Sequence, residues 1–449
     1  MGSRESSASI PPRWTDQFEQ HWLGLLFAGS TVLVTVATMV QFVHEPFRIH
    51  DDSALFQHAG WYILQGATPY VDFWDLKPPL IYAVTTVLAF LSGGNMLVLH
   101  LLSIGVAVGS VVVGVTLVGL LTYRLTAHEF ASFVAGATMF VVPSLYGFPA
   151  VGLRPKYLAL LFGVAGLLFA VTDRPALSGA AAATSAGFWQ LGGPLSALVL
   201  AIGFQRGRSR GLARTIAGGA LVTIVVVAPF VAANATVPLF LETVLAPIYG
   251  VERYTIPGRL LDLVMILGYG ALLIPLGVYG WVRGIALDWR RYWWVGAGGS
   301  LYSLQIFLEM QGAIELILLL LFLSIGVGLV IATTRTPRRR SIVAGTVALL
   351  AVASLYWVGG PVTPIKTEVE EAHEAVSISN YETLPEKPDE IESMQTIYWE
   401  KRQPESCHYR LGQKQREYAQ RTGGSLTQTE CGRWPFEDPP REWLTDRIR

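Results

Sequence analysis

The chain carries little charge for its length of 449 residues. Lys, Arg, Asp and Glu make up only 15% of it, whereas soluble globular proteins carry about 25%. Hydrophobic residues account for 52%, and the mean hydropathy is +0.43. This composition excludes an ordinary soluble domain and predicts an integral membrane protein. Because the formal net charge is zero, a nucleic-acid partner is not expected.

Other absences narrow the choice of function. The sequence shows no repeat of fixed period and no inverted pair of interrupted hydrophobic segments of the kind found in transporters. No small-residue cleavage site follows the first apolar run, so residues 1–21 are expected to be a cytoplasmic tail and not a cleaved signal. Cysteine is almost absent. Cys407 and Cys431 are the two in the chain, and both fall in its one long hydrophilic segment, residues 359–449.

Ten apolar runs reach or approach the length of about 20 residues that a transmembrane helix needs. They cover residues 22–43, 95–122, 131–149, 156–172, 188–204, 214–233, 261–282, 292–310, 313–333 and 341–358. Two shorter runs, 78–91 and 176–187, are ambiguous. An N-terminus inside and a C-terminus outside require an odd number of spans, and two arrangements give eleven. In the first, 78–91 crosses the membrane and 178–204 is one long helix. In the second, 78–91 lies at the interface, and residues 176–187 and 188–204 form a hairpin of two short helices.

Basic clusters set the orientation, because Lys and Arg concentrate in short cytoplasmic loops. The three sharpest are Arg206/Arg208/Arg210/Arg214, Arg283/Arg290/Arg291 and Arg335/Arg338/Arg339/Arg340. All three fall on one side when the C-terminus is outside. The predicted fold class is therefore an all-α polytopic membrane protein with about eleven transmembrane helices in residues 22–358, and with the loop 44–77 and a small soluble domain at 359–449 both external. We favour the second arrangement of spans, since it exposes Arg154 and Lys156 beside that loop.

The loop after the first apolar run is rich in polar residues. Residues 50–82 read HDDSALFQHAGWYILQGATPYVDFWDLKPPLIY and contain four carboxylates, Asp51, Asp52, Asp72 and Asp75. A charge at membrane depth costs about 2.5–3.5 kcal/mol on insertion scales, so such a cluster usually marks a functional site. Apolar residues at helical spacing after Asp52 predict an amphipathic helix that lies on the membrane surface and ends at Gly66. A helix cap is the alternative to a catalytic role for Asp52.

The order of motifs in this loop resembles the GT-C superfamily of membrane glycosyltransferases. The motifs are D-S-x-x-F, a helix ending in L-x-G, and then x-P-Y-x-D-F-W-D-x-K-P-P-L-I-Y. Within the superfamily the pattern is similar to the branch of the protein O-mannosyltransferases and the lipid A aminoarabinose transferases. The resemblance is strong over residues 44–91 and only architectural over 92–358. It implies a polyprenyl-phosphate sugar as donor and a catalytic carboxylate in the first external loop.

Carried over by position, the resemblance assigns Asp52 as the general base, with Asp51 as the fallback. Lys77, directly before a Pro-Pro pair, takes the position of a lysine that contacts the lipid phosphate. Arg154 and Lys156 either flank a membrane helix or add contacts to that phosphate. These residue types suit the chemistry, because a carboxylate within about 3 Å can accept the proton of an attacking hydroxyl. Fixed cations stabilise the phosphate that leaves.

Further residues are candidates for substrate contacts. They are Asp72, Asp75, Trp74, Tyr70 and Glu309. Asp75 lies one residue away from the acid of the related enzymes, so its role stays open. Trp74 fits an interfacial belt equally well, and Glu309 fits a charge at the end of a helical hairpin.

No cofactor is expected from the resemblance. A divalent metal ion is the alternative, since His44, His50 and His58 lie in the loop with the aspartate pair. The external placement of residues 359–449 predicts a disulfide between its two cysteines, because thiols oxidise outside the cell; two buried free thiols are the alternative.

The predicted function is that of an inverting glycosyltransferase. It would move mannose, or a similar hexose or pentose, from a polyprenyl- or dolichyl-phosphate carrier to a glycan, lipid-linked glycan or protein acceptor at the external face of the cell membrane. A transporter or flippase of lipid-linked sugars is the alternative, but it predicts charges in the middle of spans, whereas the charges here gather at ends and in loops. A scaffold that presents the C-terminal domain leaves the Asp and Lys cluster unexplained.

Overall fold

The computed structural model describes residues 14–73, 75–245, 247, 256–307, 310, 312–361, 363–378 and 394–402. Within these ranges the chain is almost entirely helical and contains no β-strand. The prediction of an all-α protein is therefore confirmed.

The helices vary from one turn to forty residues. The first nine are α1 (Trp14–His44), α2 (Asp51–Leu64), α3 (Leu80–Leu91), α4 (Met96–Thr126), α5 (Glu129–Thr138), α6 (Ser144–Gly147), α7 (Pro155–Val171), α8 (Pro175–Phe188) and α9 (Gly193–Ala232). The remaining helices are α10 (Thr236–Phe240), α11 (Ile256–Leu267), α12 (Leu273–Leu287), α13 (Trp289–Gln305), α14 (Ile317–Thr333), α15 (Pro337–Gly359), α16 (Pro364–Ile378) and α17 (Met394–Glu400). One turn of π-helix, Leu241–Leu245, follows α10.

Six helical segments within the described ranges are long and apolar enough to cross a membrane. They are Gln17–His44, Met96–Thr126, Gln190–Ala232, Ile256–Leu287, Ala313–Thr333 and Pro337–Gly359. The pair Glu129–Val141 and Ser144–Val151, bent by 81°, gives a seventh if it is one span. The chain is thus a multi-pass membrane protein, and the count of eleven spans stays a prediction.

The ambiguous segment 176–204 is divided between two helices. α8 ends at Phe188, the backbone of Trp189 is extended (φ −149°, ψ 131°), and α9 begins at Gly193 with a proline in its first turn. A proline there needs no hydrogen bond from its nitrogen and favours a fresh helix start. The arrangement with 178–204 as one long helix is therefore wrong, and the division matches the two short helices of the favoured arrangement.

A further break in the helical chain lies inside α9, at Arg208. Its backbone is non-helical there (φ 51°, ψ −143°), and the two halves of α9 fold back on each other. A Cβ atom on Gly211 would lie 2.2 Å from the carbonyl oxygen of Gly203, so the halves touch backbone to backbone. The predicted runs 188–204 and 214–233 thus lie on opposite sides of one sharp turn.

The basic clusters gather at one end of the helix bundle. Arg283 Nη2 donates to the Thr333 carbonyl at 2.7 Å, and Gln205 Nε2 donates to the Arg290 carbonyl at 2.7 Å. The guanidinium of the neighbouring Arg291 reaches the last turn of α4. α4 has 31 residues and so extends for about 45 Å at 1.5 Å per residue. Its first turn lies at the opposite end of the bundle, beside α2.

α14 forms the centre of this bundle. Every residue from 317 to 331 is buried, and α4, α5, α12 and α13 pack around it. This helix carries no ionised side chain, which agrees with a position among other helices.

α2 matches the predicted helix in length but not in surroundings. It ends at Leu64, and Gly66 follows with φ 102°. All residues from 53 to 60 are buried, although the sequence predicted a helix with one face on the membrane surface. The prediction of a surface helix is wrong because α3 covers one side of α2 and α17, from far along the chain, covers another.

Candidate active site

The first turn of α2 holds the aspartate pair. His50 caps this helix, because its side-chain Nδ1 accepts the backbone N–H of Asp52 at 3.1 Å. The backbone N–H of His50 donates to the Val151 carbonyl at 3.1 Å. Asp51 and Asp52 lie in the first turn, where the helix dipole favours a negative charge. Because the cap is His50, the alternative that Asp52 serves only as a helix cap is excluded.

Asp52 forms an ion pair with Arg154, whose Nη2 donates to Oδ2 of the carboxylate. Arg154 is only 6% exposed, whereas the Asp52 side chain keeps 31% of its surface. Burial by itself raises the pKa of Asp52. The charge of Arg154, followed by those of Lys156, His50 and Lys77, outweighs burial and holds this pKa well below its ordinary value. Asp52 is therefore a carboxylate at any physiological pH.

The close approach of α2 to the loop before α7 fixes Arg154. Gly152 has φ 106°, and a Cβ atom there would lie 2.7 Å from Gln57 Nε2 and 2.9 Å from the Ser53 Cβ. The next peptide N–H, of Leu153, donates to Ser103 Oγ at 2.7 Å. Glycine is needed here both for its backbone conformation and for the lack of a side chain. The loop thus enters α7 with Arg154 directed at the first turn of α2.

Lys156 lies two residues after Arg154 and has its own counterion. Its Nζ donates to Glu315 Oε1 at 2.6 Å, and the two side chains are only 3% and 7% exposed. Nζ also lies 5.5 Å from the centre of the Trp189 ring. The second oxygen of Glu315 accepts the Gly312 N–H at 3.2 Å. In this structure the charge of Lys156 is balanced by a carboxylate, and its predicted contact with the donor phosphate stays a prediction.

The turn before Lys77 is held by two predicted substrate residues. The Tyr70 hydroxyl donates to the Lys77 carbonyl at 2.6 Å, and Tyr70 is fully buried. Asp72 Oδ2 accepts the Thr68 N–H at 2.6 Å, which closes a tight turn. Tyr70 therefore holds the Lys77 backbone and Asp72 holds the turn at residues 68–72, and a direct contact of either with substrate stays a prediction.

Asp75 lies in a small acidic cluster. Its Oδ2 accepts the hydroxyl of Tyr82, and its backbone N–H donates to Glu242 Oε2 at 3.0 Å. Burial raises the pKa of Asp75, opposed by the Tyr82 hydrogen bond and the charge of Lys77. Burial also raises the pKa of Glu242, opposed by the Asp75 N–H and reinforced by the Asp75 carboxylate. These two acids thus hold protons more readily than Asp52 does.

α17 lies against α2 and contacts Asp51. Gln395 Nε2 donates to Asp51 Oδ1 at 3.3 Å. The Tyr398 hydroxyl lies 3.0 Å from Gln57 Oε1 and 2.5 Å from the Met96 carbonyl oxygen. Part of the segment predicted to be a separate C-terminal domain therefore contacts the helix that carries the aspartate pair.

Three polar residues of this region make contacts that the sequence did not predict: Gln190, Glu242 and Glu315. Gln190 lies near the start of the apolar run 188–204, and Glu242 is the one charged residue in the stretch TVPLFLETVLAPIYG. An isolated polar residue inside an apolar stretch is a signal that sequence reasoning can use. The contacts that these residues make depend on folding and are not visible in the sequence.

Some predictions lie outside the described residues. They concern Trp74, Glu309 and the pair Cys407 and Cys431. In the part of the chain that the structure describes, no three His, Cys, Asp or Glu side chains come together as a metal-binding group. The expectation that no metal takes part stays a prediction.

Two comparisons with known proteins bear on this site. The model of the family described as DolP-mannose mannosyltransferase matches residues 66–228. The chain is also 28% identical over 418 residues to a dolichol phosphate-mannose mannosyltransferase of Haloferax volcanii, and this similarity covers 85% of the chain and 90% of that protein. The family match contains Lys77, Arg154 and Lys156 and begins after Asp52.

These similarities confirm the resemblance to membrane glycosyltransferases that use a polyprenyl-phosphate sugar. The prediction of a glycosyltransferase with a lipid-phosphate-sugar donor is likewise confirmed. The matched family and the matched protein are both named as mannosyltransferases, so neither supports the alternative of a transporter or flippase.

Proposed function

We propose that this protein is an inverting mannosyltransferase that moves mannose from dolichyl phosphate mannose to an acceptor hydroxyl. The observation that carries the proposal is the ion pair of Asp52 with the buried Arg154, within the electrostatic influence of Lys77. It supports the proposal because a carboxylate and cations meet in the segment whose sequence resembles the GT-C enzymes. The names of the matched family and relative supply the sugar and the lipid.

The proposed reaction is a single displacement. The acceptor oxygen forms a bond to the anomeric carbon of mannose, and the bond from that carbon to the phosphate oxygen breaks. The electron pair of the broken bond leaves with dolichyl phosphate, and the acceptor proton passes to Asp52. Lys77 and Arg154 stabilise the charge that grows on the phosphate. Because no covalent enzyme intermediate forms, the anomeric configuration inverts.

The ion pair also suggests how Asp52 becomes active. A carboxylate whose pKa is held far down by Arg154 is a weak base before substrate binds. The donor phosphate competes with Asp52 for the same guanidinium, which suits phosphate oxygens well. When Arg154 turns its hydrogen bond to the phosphate, the pKa of Asp52 rises. Donor binding thus prepares the base for the acceptor.

The finer topology is part of this proposal. We infer a GT-C-like domain of eleven spans in the cell membrane, with Asp52 and residues 359–449 at the external face and the arginine clusters inside. The gathering of those clusters at the end of the bundle away from α2 supports the orientation. The acceptor is then an external glycan, lipid-linked glycan or protein, and transfer proceeds without a metal ion.

Transfer from dolichyl phosphate mannose by the purified protein in lipid vesicles tests the proposal. Asp52→Asn keeps a side-chain oxygen that can accept the Arg154 hydrogen bond, so it should fold, though less stably, and should lower kcat by about 10²–10⁴-fold, the usual contribution of a general base. Asp51→Asn, the neighbouring change on the same helical turn, is the control and should keep most of the activity. The anomeric proton coupling of the product, read by NMR, should show inversion. Full activity in both variants would overturn this mechanism, and product of retained configuration would overturn the single displacement.

A further inference from the structure

The backbone of Asp75, Leu76 and Lys77 is held at three successive residues by three side chains. Glu242 Oε2 accepts the Asp75 N–H at 3.0 Å. Gln190 Nε2 donates to the Leu76 carbonyl. The Tyr70 hydroxyl donates to the Lys77 carbonyl at 2.6 Å. One peptide N–H and two carbonyls on the approach to the Lys77 side chain therefore have a side-chain partner.

These partners come from distant parts of the chain. Gln190 lies in the short turn between α8 and α9, and Glu242 lies in the π-helical turn after α10. The two are also connected, because Gln190 Nε2 donates to the Thr243 carbonyl at 3.2 Å. The turn that carries Gln190 is itself steadied by the Tyr302 hydroxyl, which donates to the Leu191 carbonyl at 2.6 Å. One amide thus joins the Lys77 loop to the 241–245 turn.

The sequence after Lys77 explains why outside partners are needed. Pro78 and Pro79 follow directly, and proline has no N–H to offer. The loop cannot be fixed by backbone hydrogen bonds from these residues, and Pro78 restricts only the backbone angles of Lys77. A lysine side chain has four rotatable bonds, so the direction of its ammonium depends on a base that does not move.

Glu242 is suited to hold such a base. It is 3% exposed and lies in an apolar stretch, where an unpartnered carboxyl would be costly. Either protonation state of the carboxyl leaves an oxygen that can accept the Asp75 N–H. The hydrogen bond therefore persists over a wide range of pH.

We propose that Glu242 and Gln190 are positioning residues that aim Lys77 at the donor phosphate. This inference rests on the proposed function, since it takes Lys77 as the cation that meets the lipid phosphate. Neither side chain touches the reacting atoms. Both act through the backbone of the Asp75–Lys77 segment, so their loss weakens the binding of the lipid-phosphate donor and leaves the binding of the acceptor unchanged.

The experiment compares Gln190→Leu and Glu242→Leu with Glu242→Gln, which keeps an accepting oxygen. Gln205→Leu is the matched control, because Gln205 also makes two hydrogen bonds, to the Arg290 carbonyl and from Trp293 Nε1, at the other end of the bundle. Each Leu variant at the site should raise the donor KM about tenfold, the factor expected from one ordinary hydrogen bond. The acceptor KM should stay within twofold of wild type, and Glu242→Gln should stay within about threefold for the donor.

Hydrogen–deuterium exchange supplies a readout that does not require activity. The Asp75 amide should exchange faster in Glu242→Leu than in Glu242→Gln or in the control. Faster exchange with a donor KM equal to that of Gln205→Leu would overturn the inference, and so would an equal rise of the donor and acceptor KM values. If the wild-type protein transfers no mannose, the proposed function fails. The inference is then tested through the thermal shift produced by dolichyl phosphate, which should shrink in the two Leu variants and would refute it if unchanged.

Discussion

Replacement of Arg154 by methionine tests the central ion pair most directly. Met keeps much of the length of the side chain but removes the charge that Asp52 contacts. Removal of one partner of a buried ion pair costs about 3–5 kcal/mol. Asp52 keeps 31% of its side-chain surface exposed, so water can solvate the remaining carboxylate. We therefore expect the free energy of unfolding to fall by about 3 kcal/mol, near the lower limit.

The same change should alter the pH dependence of transfer. In the wild-type protein the pKa of Asp52 lies below its ordinary value of 3.8, so its contribution to stability is present above pH 3.8 and is lost as the pH falls through the lower folded-state pKa. Without Arg154, burial, which raises this pKa, acts with less opposition. Asp52 then takes up its proton at a higher pH, and the variant should lose activity on acidification where the wild type does not.

The assay is kcat/KM for the donor between pH 4.5 and 8, because its pH dependence reports the enzyme before donor binds; unfolding temperatures are measured on the same samples. Arg206→Met is the control, because Arg206 also pairs with an aspartate, Asp173, at 2.7 Å, but both side chains are exposed, at 41% and 72%. An exposed pair contributes about 0–1 kcal/mol. If Arg154→Met lowered kcat/KM by the same factor at every pH, the idea that Arg154 controls the protonation of Asp52 would be refuted.

One further prediction concerns the proposed site, and another concerns the two cysteines of residues 359–449. Lys77→Ala should raise the donor KM at least tenfold with little change for the acceptor, and Lys77→Arg should restore only part of it because the two cations differ in shape; an unchanged donor KM in the Ala variant would contradict the assignment. Cys407 and Cys431 should form a disulfide that closes a loop of about 25 residues and contributes about 3 kcal/mol. A membrane-impermeant maleimide should leave both thiols of intact cells unlabelled until reduction, and ready labelling without reductant would refute the bridge.

The sequence marks the candidate site because several local signals coincide in residues 50–82. Neighbouring residues encode the start and end of α2 and the break before α9. They also encode the turn at Lys77, which directly precedes a Pro-Pro pair. The sequence also marked Arg154, the partner of Asp52, because this residue lies two positions after Gly152 and directly before Pro155, at the start of an apolar run. Caps, prolines and glycines act over a few residues, so they predicted where α2 ends and where the chain turns near Lys77.

The pairings could not be predicted because they depend on packing between distant segments. Lys156 and Glu315 are 159 positions apart, and Asp75 and Glu242 are 167 apart. The prediction of α2 as a surface helix failed for the same reason. Its apolar spacing correctly indicated one buried face, but no local pattern indicates that α17 returns to cover another.

The contact of α17 with α2 also restricts the topology. The Tyr398 hydroxyl reaches the Met96 carbonyl at the first turn of α4, whereas Arg291 reaches the last turn of the same helix. Residues 394–402 and the aspartate pair therefore lie at one end of the bundle, and the arginine clusters lie at the other. α15, which starts at the arginine-rich end, must return the chain to the end that holds Asp52. The proposed external position of both the first loop and the C-terminal segment requires this arrangement, since no continuous chain could place them on opposite faces and keep Tyr398 against α2.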